Sequence, residues 1–221
     1  MGYHNSVLLR ESVAALDIRP DGVYVDVTFG GGGHSRAILS QLTSGRLLAF
    51  DQDEDATANN IADSRFTLIN NNFRYLKNFL RLHDAIPVDG ILADLGVSGH
   101  QFDQPERGFS TRFDGGLDMR MDQRKELTAG MVINQYSEEQ LQHIFAAYGE
   151  IPNARRLASL IVSERVKSPV TTTARLRELA DVCAPKGKEF KYEAQVFQAV
   201  RIEVNKEPES LALFLKQATE V

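Results

Sequence analysis

Residues 23–34 read VYVDVTFGGGGH, a strand-like run that leads directly into four consecutive glycines. Most of the run is β-branched or aromatic, which is typical of a buried strand. Residues 35–42 follow with apolar side chains at helical spacing. Strand, glycine turn and helix in this order begin a βαβ unit. We therefore expect a parallel sheet that binds ligands at the carboxyl ends of its strands.

Three more strand-like runs occupy residues 46–50, 66–69 and 88–92. Helix-like patterns lie between them at about 54–62 and 74–82. Strands that alternate with helices predict an α/β fold, with a mostly parallel sheet covered by helices.

The alternation ends near residue 102. Residues 102–135 are rich in Gly, Arg and Asp without a period, and a loop of this length is usually functional or disordered. Five amphipathic helices are predicted beyond it, and the capping box Ser137-Glu-Glu-Gln140 marks the start of the first. The later helices are predicted to begin near Pro152, Thr172 or Thr173, Tyr192 and Pro208.

Composition and charge narrow the class of protein. The 221 residues are 43% apolar and 25% charged, as in ordinary globular proteins. The single cysteine excludes a disulfide framework and a multi-thiolate site, and we expect no metal. With no long apolar run and no signal-like N-terminus, the cytoplasm is expected. Net charge is −5, yet residues 151–221 carry 12 basic and 9 acidic side chains. This excess indicates either a surface that faces a polyanion or a solvated helical surface.

The glycine cluster is compatible with three kinds of ligand site. A Walker-type phosphate loop needs a following Gly-Lys-Ser/Thr, which is absent. The dinucleotide fingerprint fails because Ser35 or Arg36 stands where its third glycine belongs. A nucleoside-type cofactor that has a carboxylate in place of a pyrophosphate remains, and S-adenosylmethionine fits this description. A tight turn without any ligand stays open as the alternative.

Asp51 favours the cofactor interpretation. It follows the second strand, 21 residues after Gly30, where a carboxylate can accept both hydroxyls of a ribose. The Asp51-x-Asp53-x-Asp55 spacing also matches the start of a calcium loop, but the glycine and the glutamate that this loop requires are absent.

Phe73 and Asp94 follow the third and fourth strands. The Phe73 ring is placed either to stack near an adenine or to join the core. The Asp94 carboxylate is placed either to orient an acceptor amine or to cap a helix. None of the five histidines forms a metal or triad pattern, and His34 reads as part of the glycine turn.

Together these segments resemble the RsmH (MraW) family, the S-adenosylmethionine-dependent methyltransferases of 16S ribosomal RNA. The matching segments keep the family's order and spacing along most of the chain. They are His4-x-Ser-Val-Leu-Leu9, Arg19-Pro-Asp-Gly22, Thr28-Phe-Gly-Gly-Gly-Gly-His-Ser35, Gly45-Arg-Leu-Leu-Ala-Phe-Asp51, Asp89-Gly-Ile-Leu-Ala-Asp-Leu-Gly-Val-Ser98, Gln101-Phe-Asp103, Arg107-Gly-Phe-Ser110, Leu117-Asp-Met-Arg-Met-Asp122 and Phe197-Gln-Ala-Val-Arg-Ile202.

The resemblance implies methylation of the exocyclic N4 of a cytosine in the decoding centre of 16S rRNA, in the small ribosomal subunit. It also implies a Rossmann-like methyltransferase domain with an inserted all-helical domain. Residues 1–102 are expected to bind S-adenosylmethionine, 103–206 to form a loop and the RNA-recognising insertion, and 207–221 to return to the first domain. The family's cofactor positions fall on Gly32, Gly33, His34, Asp51, Phe73, Asp94 and Gln101. Asp94 is the expected catalytic residue. Expected RNA contacts are Arg107, Arg112, Arg120, Arg155, Arg156 and Arg201.

The sequence departs from the family pattern at Ser98-Gly-His-Gln101, at Gly115-Gly116 and at Lys191-Tyr-Glu-Ala-Gln195. Family members also continue with further strands, so we expect this chain to be a fragment whose sheet has an unpaired edge. The oligomeric state is open, a homodimer being one option. Two alternative functions stay open: methyl transfer to another RNA or to protein, and cofactor binding without turnover.

Overall fold

The computed structural model describes residues 7–221, so His4 and Ser6 of the first matching motif lie outside the described residues. The chain divides into two compact units. The first unit contains the described residues up to Gly96 together with Pro208–Val221, and the second is Val97–Glu207. Within residues 7–221, no helix is both long and apolar enough to cross a membrane.

The first unit contains a four-stranded parallel sheet in the order β3-β2-β1-β4. The strands are β1 (Val23–Asp26), β2 (Arg46–Phe50), β3 (Phe66–Ile69) and β4 (Gly90–Leu92). This arrangement confirms the predicted α/β class and the Rossmann-like sheet. Strand β4 begins two residues later than predicted: Asp89 donates its backbone N–H to the carbonyl of Val23, but the Val23 N–H is accepted by the Asp89 side chain and not by a backbone carbonyl.

Ten α-helices accompany the sheet in the described part of the chain. They are α1 (Leu9–Ala15), α2 (Gly33–Leu39), α3 (Leu76–Leu82), α4 (Gly99–Asp103), α5 (Ala129–Gln135), α6 (Glu138–Ala147), α7 (Ala154–Lys167), α8 (Thr173–Cys183), α9 (Glu189–Asn205) and α10 (Glu207–Ala218).

Helices cover both faces of the sheet because its buried side chains alternate between two clusters. Tyr24 and Leu47 belong to a cluster that includes residues of α1 and α2. The adjacent Val25 and Leu48 belong to the opposite cluster, which contains residues of α3 and also Phe214 of α10. Each strand is therefore apolar at nearly every position, as expected for a parallel strand that is buried on two sides.

The second unit is helical and has a core of its own. Helices α5 to α9 contribute fully buried side chains to this core, among them Ile133, Phe145, Leu157 and Val196. The capping box predicted at Ser137 is present: its hydroxyl accepts the N–H of Gln140, and the Gln140 side chain accepts the N–H of Ser137.

Two segments differ from the prediction. The expected helix at 54–62 is a shorter 3₁₀ helix, Glu54–Asn59; the Asp53 side chain accepts the Asp55 N–H at its start, and the backbone leaves the helical region at Asn60. The long segment at 102–135, predicted as a loop, contains the last two residues of α4 and the whole of α5. Its irregular middle is anchored by Met119, which is fully buried and whose N–H donates to the carbonyl of Arg107.

Candidate functional site

The glycine turn after β1 leaves open space beside its backbone. Gly30 and Gly32 have φ of +50° and +76°, the left-handed region that favours glycine. A Cβ added at Gly30 or Gly31 would meet no atom within 4 Å, whereas one at Gly32 would come within 2.9 Å of the Phe29 ring. A ligand can therefore approach the backbone of Gly30 and Gly31, and Gly32 is needed for packing.

Asp51 is held against this turn from the end of β2. Its Oδ2 accepts the backbone N–H of Gly30 at 2.8 Å, and its Oδ1 accepts that of Asp53 at 2.9 Å. Burial raises the pKa of the Asp51 carboxyl to about 6, and the charges of Asp53 and Asp26 act in the same direction, whereas the two hydrogen bonds oppose the rise. Each carboxylate oxygen keeps a lone pair for a further donor. Two hydroxyls of one ligand can use them.

Asp26, at the end of β1, organises the turn from beneath and was not among the residues predicted from sequence. It is fully buried, and it accepts the hydroxyl of Ser35 at 2.7 Å and the backbone N–H of Thr28 at 3.1 Å. Burial raises the pKa of this carboxyl. The available signal was an acidic residue inside the otherwise apolar run of residues 23–27, where an uncompensated charge would be costly.

Asp94 is connected to the same network through its backbone. Its N–H donates to the hydroxyl of Thr28 at 2.7 Å, so the segment after β4 is tied to the segment after β1. The Asp94 side chain is exposed. Its carboxylate is therefore available to an incoming group.

Two asparagines join the remaining strand ends. The side-chain amide of Asn59 donates to the carbonyl of Gly30 at 3.1 Å. That of Asn70 donates to the carbonyls of Asp51 and Asp53 at 3.0 and 3.2 Å. Sequence reasoning missed both residues, although Asn70 directly follows the third predicted strand.

Phe73 and His34 make contacts within the first unit. The half-buried ring of Phe73 meets that of Phe214 edge-on, with 5.4 Å between centroids. His34 is buried, and its Nε2 lies 3.2 Å from the carbonyl oxygen of Val7. These contacts give both residues a structural role, and their cofactor role stays a prediction.

Gln101 lies in the second unit, where it is buried in the first turn of α4. Its Oε1 accepts the backbone N–H of Ser98 at 3.2 Å, and its own N–H donates to the Ser98 hydroxyl at 3.3 Å. Its cofactor role also stays a prediction. Among residues 7–221, no group of three His, Cys, Asp or Glu side chains is arranged to hold a metal ion.

Comparison with known proteins identifies the family. A family model described as the MraW methylase family matches residues 1–221. The chain belongs to the MraW methylase family.

Individual relatives cover this MraW methylase chain almost completely. The ribosomal RNA small subunit methyltransferase H of Christiangramia forsetii is 59% identical over 100% of this chain and 74% of its own length. The proteins of the same name from Flavobacterium johnsoniae and Bacteroides fragilis are 57% and 58% identical, over 100% and 99% of this chain and 74% and 72% of their own lengths.

Three of the six arginines that were predicted to contact RNA are used within the MraW methylase chain itself. Arg107 is buried and donates to the carbonyl of Arg120 at 3.0 Å. Arg120 pairs with Asp118 at 2.7 Å, and Arg201 forms a two-pronged ion pair with Glu207 at 2.8 and 3.1 Å. These guanidinium groups organise the fold, so they are poorly placed to bind an external phosphate.

The other three arginines are exposed. Arg112 lies 3.2 Å from the Asp103 carboxylate in a surface ion pair, which is a weak interaction in water. Arg156 donates to the carbonyl of Val182 at 3.2 Å. The side chain of Arg155 has no hydrogen bond or ion pair with any other described residue. The guanidinium groups of Arg112, Arg155 and Arg156 are therefore accessible to a binding partner.

Proposed function

We propose that this chain transfers a methyl group from S-adenosylmethionine to the exocyclic N4 of a cytosine in the decoding centre of 16S rRNA, acting on the small ribosomal subunit. Membership of a methylase family along the whole chain supports methyl transfer, and the relatives are named for the ribosomal RNA of the small subunit. The observation that carries the cofactor assignment is the hydrogen bond from Gly30 to Asp51 beside an open glycine turn.

The cofactor supplies an electrophilic methyl group on a sulfonium. Asp51 accepts the ribose hydroxyls, and the backbone between Gly30 and His34, including Gly32 and Gly33, holds the methionine part. Phe73 borders the adenine, and Gln101 is assigned to the cofactor by resemblance to the family. The residues present suit this group, because a carboxylate at the end of β2 and an uncrowded backbone turn are what a ribose and an amino-acid carboxylate require.

Asp94 is the proposed catalytic residue. Its exposed carboxylate accepts an N–H of the cytosine amine and orients the nitrogen lone pair along the line of displacement. The cytosine must leave its stack to reach it. The bound cofactor would supply the methyl group as the electrophile for this nitrogen, and water or a nearby carboxylate would accept the proton that the amine gives up.

Three segments of the chain divide this work. We assign cofactor binding to residues 1–102, RNA recognition to the loop and helices of 103–206, and the return to the first unit to 207–221. Of the predicted RNA contacts, the exposed Arg112, Arg155 and Arg156 are retained. Ribosomal subunits are cytoplasmic, so the cytoplasm is the proposed compartment.

Calorimetry with S-adenosylmethionine tests the cofactor assignment. The wild type should bind, and Asp51→Ala should bind at least about tenfold more weakly, because the ribose loses a charged acceptor. Equal affinities would contradict the role of Asp51, and a wild type that does not bind would contradict the cofactor itself.

Labelling tests the substrate. Unmethylated small subunits are incubated with the chain and methyl-labelled cofactor, and the labelled nucleotide is mapped. Label at N4 of a decoding-centre cytosine is expected. Label on another nucleotide or on protein would overturn the substrate assignment, and cofactor binding without any label would mean that the chain binds without turnover.

A further inference from the structure

The helical unit carries an open groove of about 700 Å³ between the start of α6, the part of α7 up to Ser163 and the end of α8. Two arginines, two serines, Asn153 and Glu138 provide its polar lining. We propose that this groove binds the phosphate backbone of the RNA substrate. The inference rests on the proposed function and adds to it the surface that receives the RNA.

The arginines of the groove are not explained by folding. Helix α7 contains four basic residues and one acidic residue, and no acidic residue lies in its first turn. Arg155 and Arg156 occupy that first turn, where the helix dipole disfavours cations. Arg155 gains no compensating contact from any described residue, and Arg156 has only the carbonyl of Val182. A local electrostatic conflict of this kind is expected at functional positions.

The groove continues along the same helix with uncharged donors. Ser159 and Ser163 are exposed and lie four residues apart, so they share one face of α7. The Ser163 hydroxyl already donates its one hydrogen to the carbonyl of Leu160 at 2.8 Å, so Ser159, which has no such bond within the described residues, is the serine whose O–H is available as a donor. Guanidinium groups and hydroxyls along one surface are the donors that proteins present to successive phosphates.

The charge around the groove favours a polyanion over a neutral ligand. Residues 151–221 carry 12 basic and 9 acidic side chains, whereas residues 1–150 are acidic on balance. Glu138 is the one acidic side chain in the lining and lies at the start of α6. We therefore expect the bound phosphate chain to lie along α7 and away from Glu138, because the Glu138 carboxylate repels phosphate groups.

RNA binding by matched charge variants tests the inference. The probe is a single-stranded RNA oligonucleotide whose affinity is measured by fluorescence anisotropy over a range of salt concentrations. Arg155→Gln and Arg156→Gln should each weaken binding by about tenfold at low salt and lower the salt slope by about 1. Glu138→Gln should strengthen binding. Lys167→Gln is the control, because Lys167 lies on the same helix outside the groove and pairs with Glu164.

Arg155→Gln is the decisive variant, since the Arg155 side chain makes no hydrogen bond or ion pair among the described residues that the folded chain could lose. Equal effects of Arg155→Gln and Lys167→Gln would overturn the inference, as would an acidic peptide that competes as well as RNA of the same charge. Methylation of small subunits separates the two proposals. If the wild type is active and the KM for subunits is unchanged in Arg155→Gln, the groove inference fails alone. A wild type that never methylates RNA would contradict the proposed function instead.

Discussion

Asp26 shows how one buried carboxylate can shape a whole turn. It receives the Ser35 hydroxyl from α2 and the Thr28 N–H from the chain before the glycines, so both ends of the turn depend on it. An ionised carboxylate that is buried without such donors would cost several kcal/mol. Its hydrogen bonds therefore explain both the burial of Asp26 and the fixed course of the backbone above it.

A substitution at Gly31 can separate an effect on cofactor binding from an effect on folding stability. It has open space at its Cβ position and a φ outside the left-handed region, so Gly31→Ala should fold normally or gain about 0.4–1 kcal/mol. The methyl group would occupy the space proposed for the cofactor, and we expect calorimetry to show at least about tenfold weaker S-adenosylmethionine binding. Gly116→Ala is the matched control, because Gly116 has the same open surroundings in the other unit. Unchanged affinity in Gly31→Ala would place the cofactor elsewhere.

The raised pKa of Asp51 predicts that S-adenosylmethionine binding depends on pH. Burial raises the pKa of Asp51 in the folded chain to about 6. As pH rises, the Asp51 carboxyl therefore ionises in the unfolded chain before it ionises in the folded chain. The free energy of unfolding consequently falls by about 3 kcal/mol between about pH 4 and pH 6. A ribose that donates to the carboxylate favours its ionised form. Affinity should therefore be constant well above pH 6 and fall by up to about tenfold for each pH unit below it.

Calorimetry between pH 5 and pH 8 checks this expectation. Asp51→Asn should bind more weakly than the wild type at neutral pH but with little change across the range, because the amide does not titrate. The same pH dependence in both proteins would show that another group controls binding.

At the level of secondary-structure elements, Thr28 connects two strand ends through a single hydroxyl. That hydroxyl accepts the Asp94 N–H at 2.7 Å and lies 3.5 Å from Asp26. Thr28→Val should lower kcat by about tenfold, the value of one lost hydrogen bond, with little change in cofactor affinity. Thr28→Ser keeps the hydroxyl and should stay near the wild-type rate. A wild-type kcat in Thr28→Val would show that the hydroxyl is not needed, and equal damage in both variants would show that the hydroxyl alone does not account for the effect.

The elements differ in how well they could be predicted. Strands β2 and β3 match the prediction residue for residue because their apolar runs are short and sharply bounded. Helix α5 was missed because Gly130 and only seven residues give it little intrinsic preference for helix, and burial of one face stabilises it instead.

The residues of the candidate site also differ in how well they could be predicted from the sequence. Asp51 and the glycine turn are close in sequence to strand ends and were predictable, whereas the contact of Phe73 with Phe214 joins distant segments. Arg107 is buried because its guanidinium group donates to a backbone carbonyl. No sequence pattern shows which arginines will find such carbonyl partners, so this placement could not be predicted.

On the scale of the whole molecule, the two units have separate cores. We expect S-adenosylmethionine to slow amide hydrogen exchange in residues 28–36, 50–53 and 93–102 and around Phe73, where the proposed cofactor residues lie. Helices α7 to α9 should exchange at unchanged rates. Exchange measured by mass spectrometry with and without cofactor checks this pattern. Equal slowing in α7 to α9 would contradict a cofactor site confined to these segments.

The interruption of the first unit has a consequence for synthesis on the ribosome. Phe214 of α10 belongs to the cluster on one face of the sheet, and the 111 residues of Val97–Glu207 are translated between β4 and this helix. At a translation rate of about 5–20 residues per second, α10 is synthesised about 5–20 s after β4, and α10 does not cover the apolar face of the sheet during that time. During that delay the nascent sheet is a natural client for chaperones, and the helical unit can finish folding before the domain that surrounds it in the sequence.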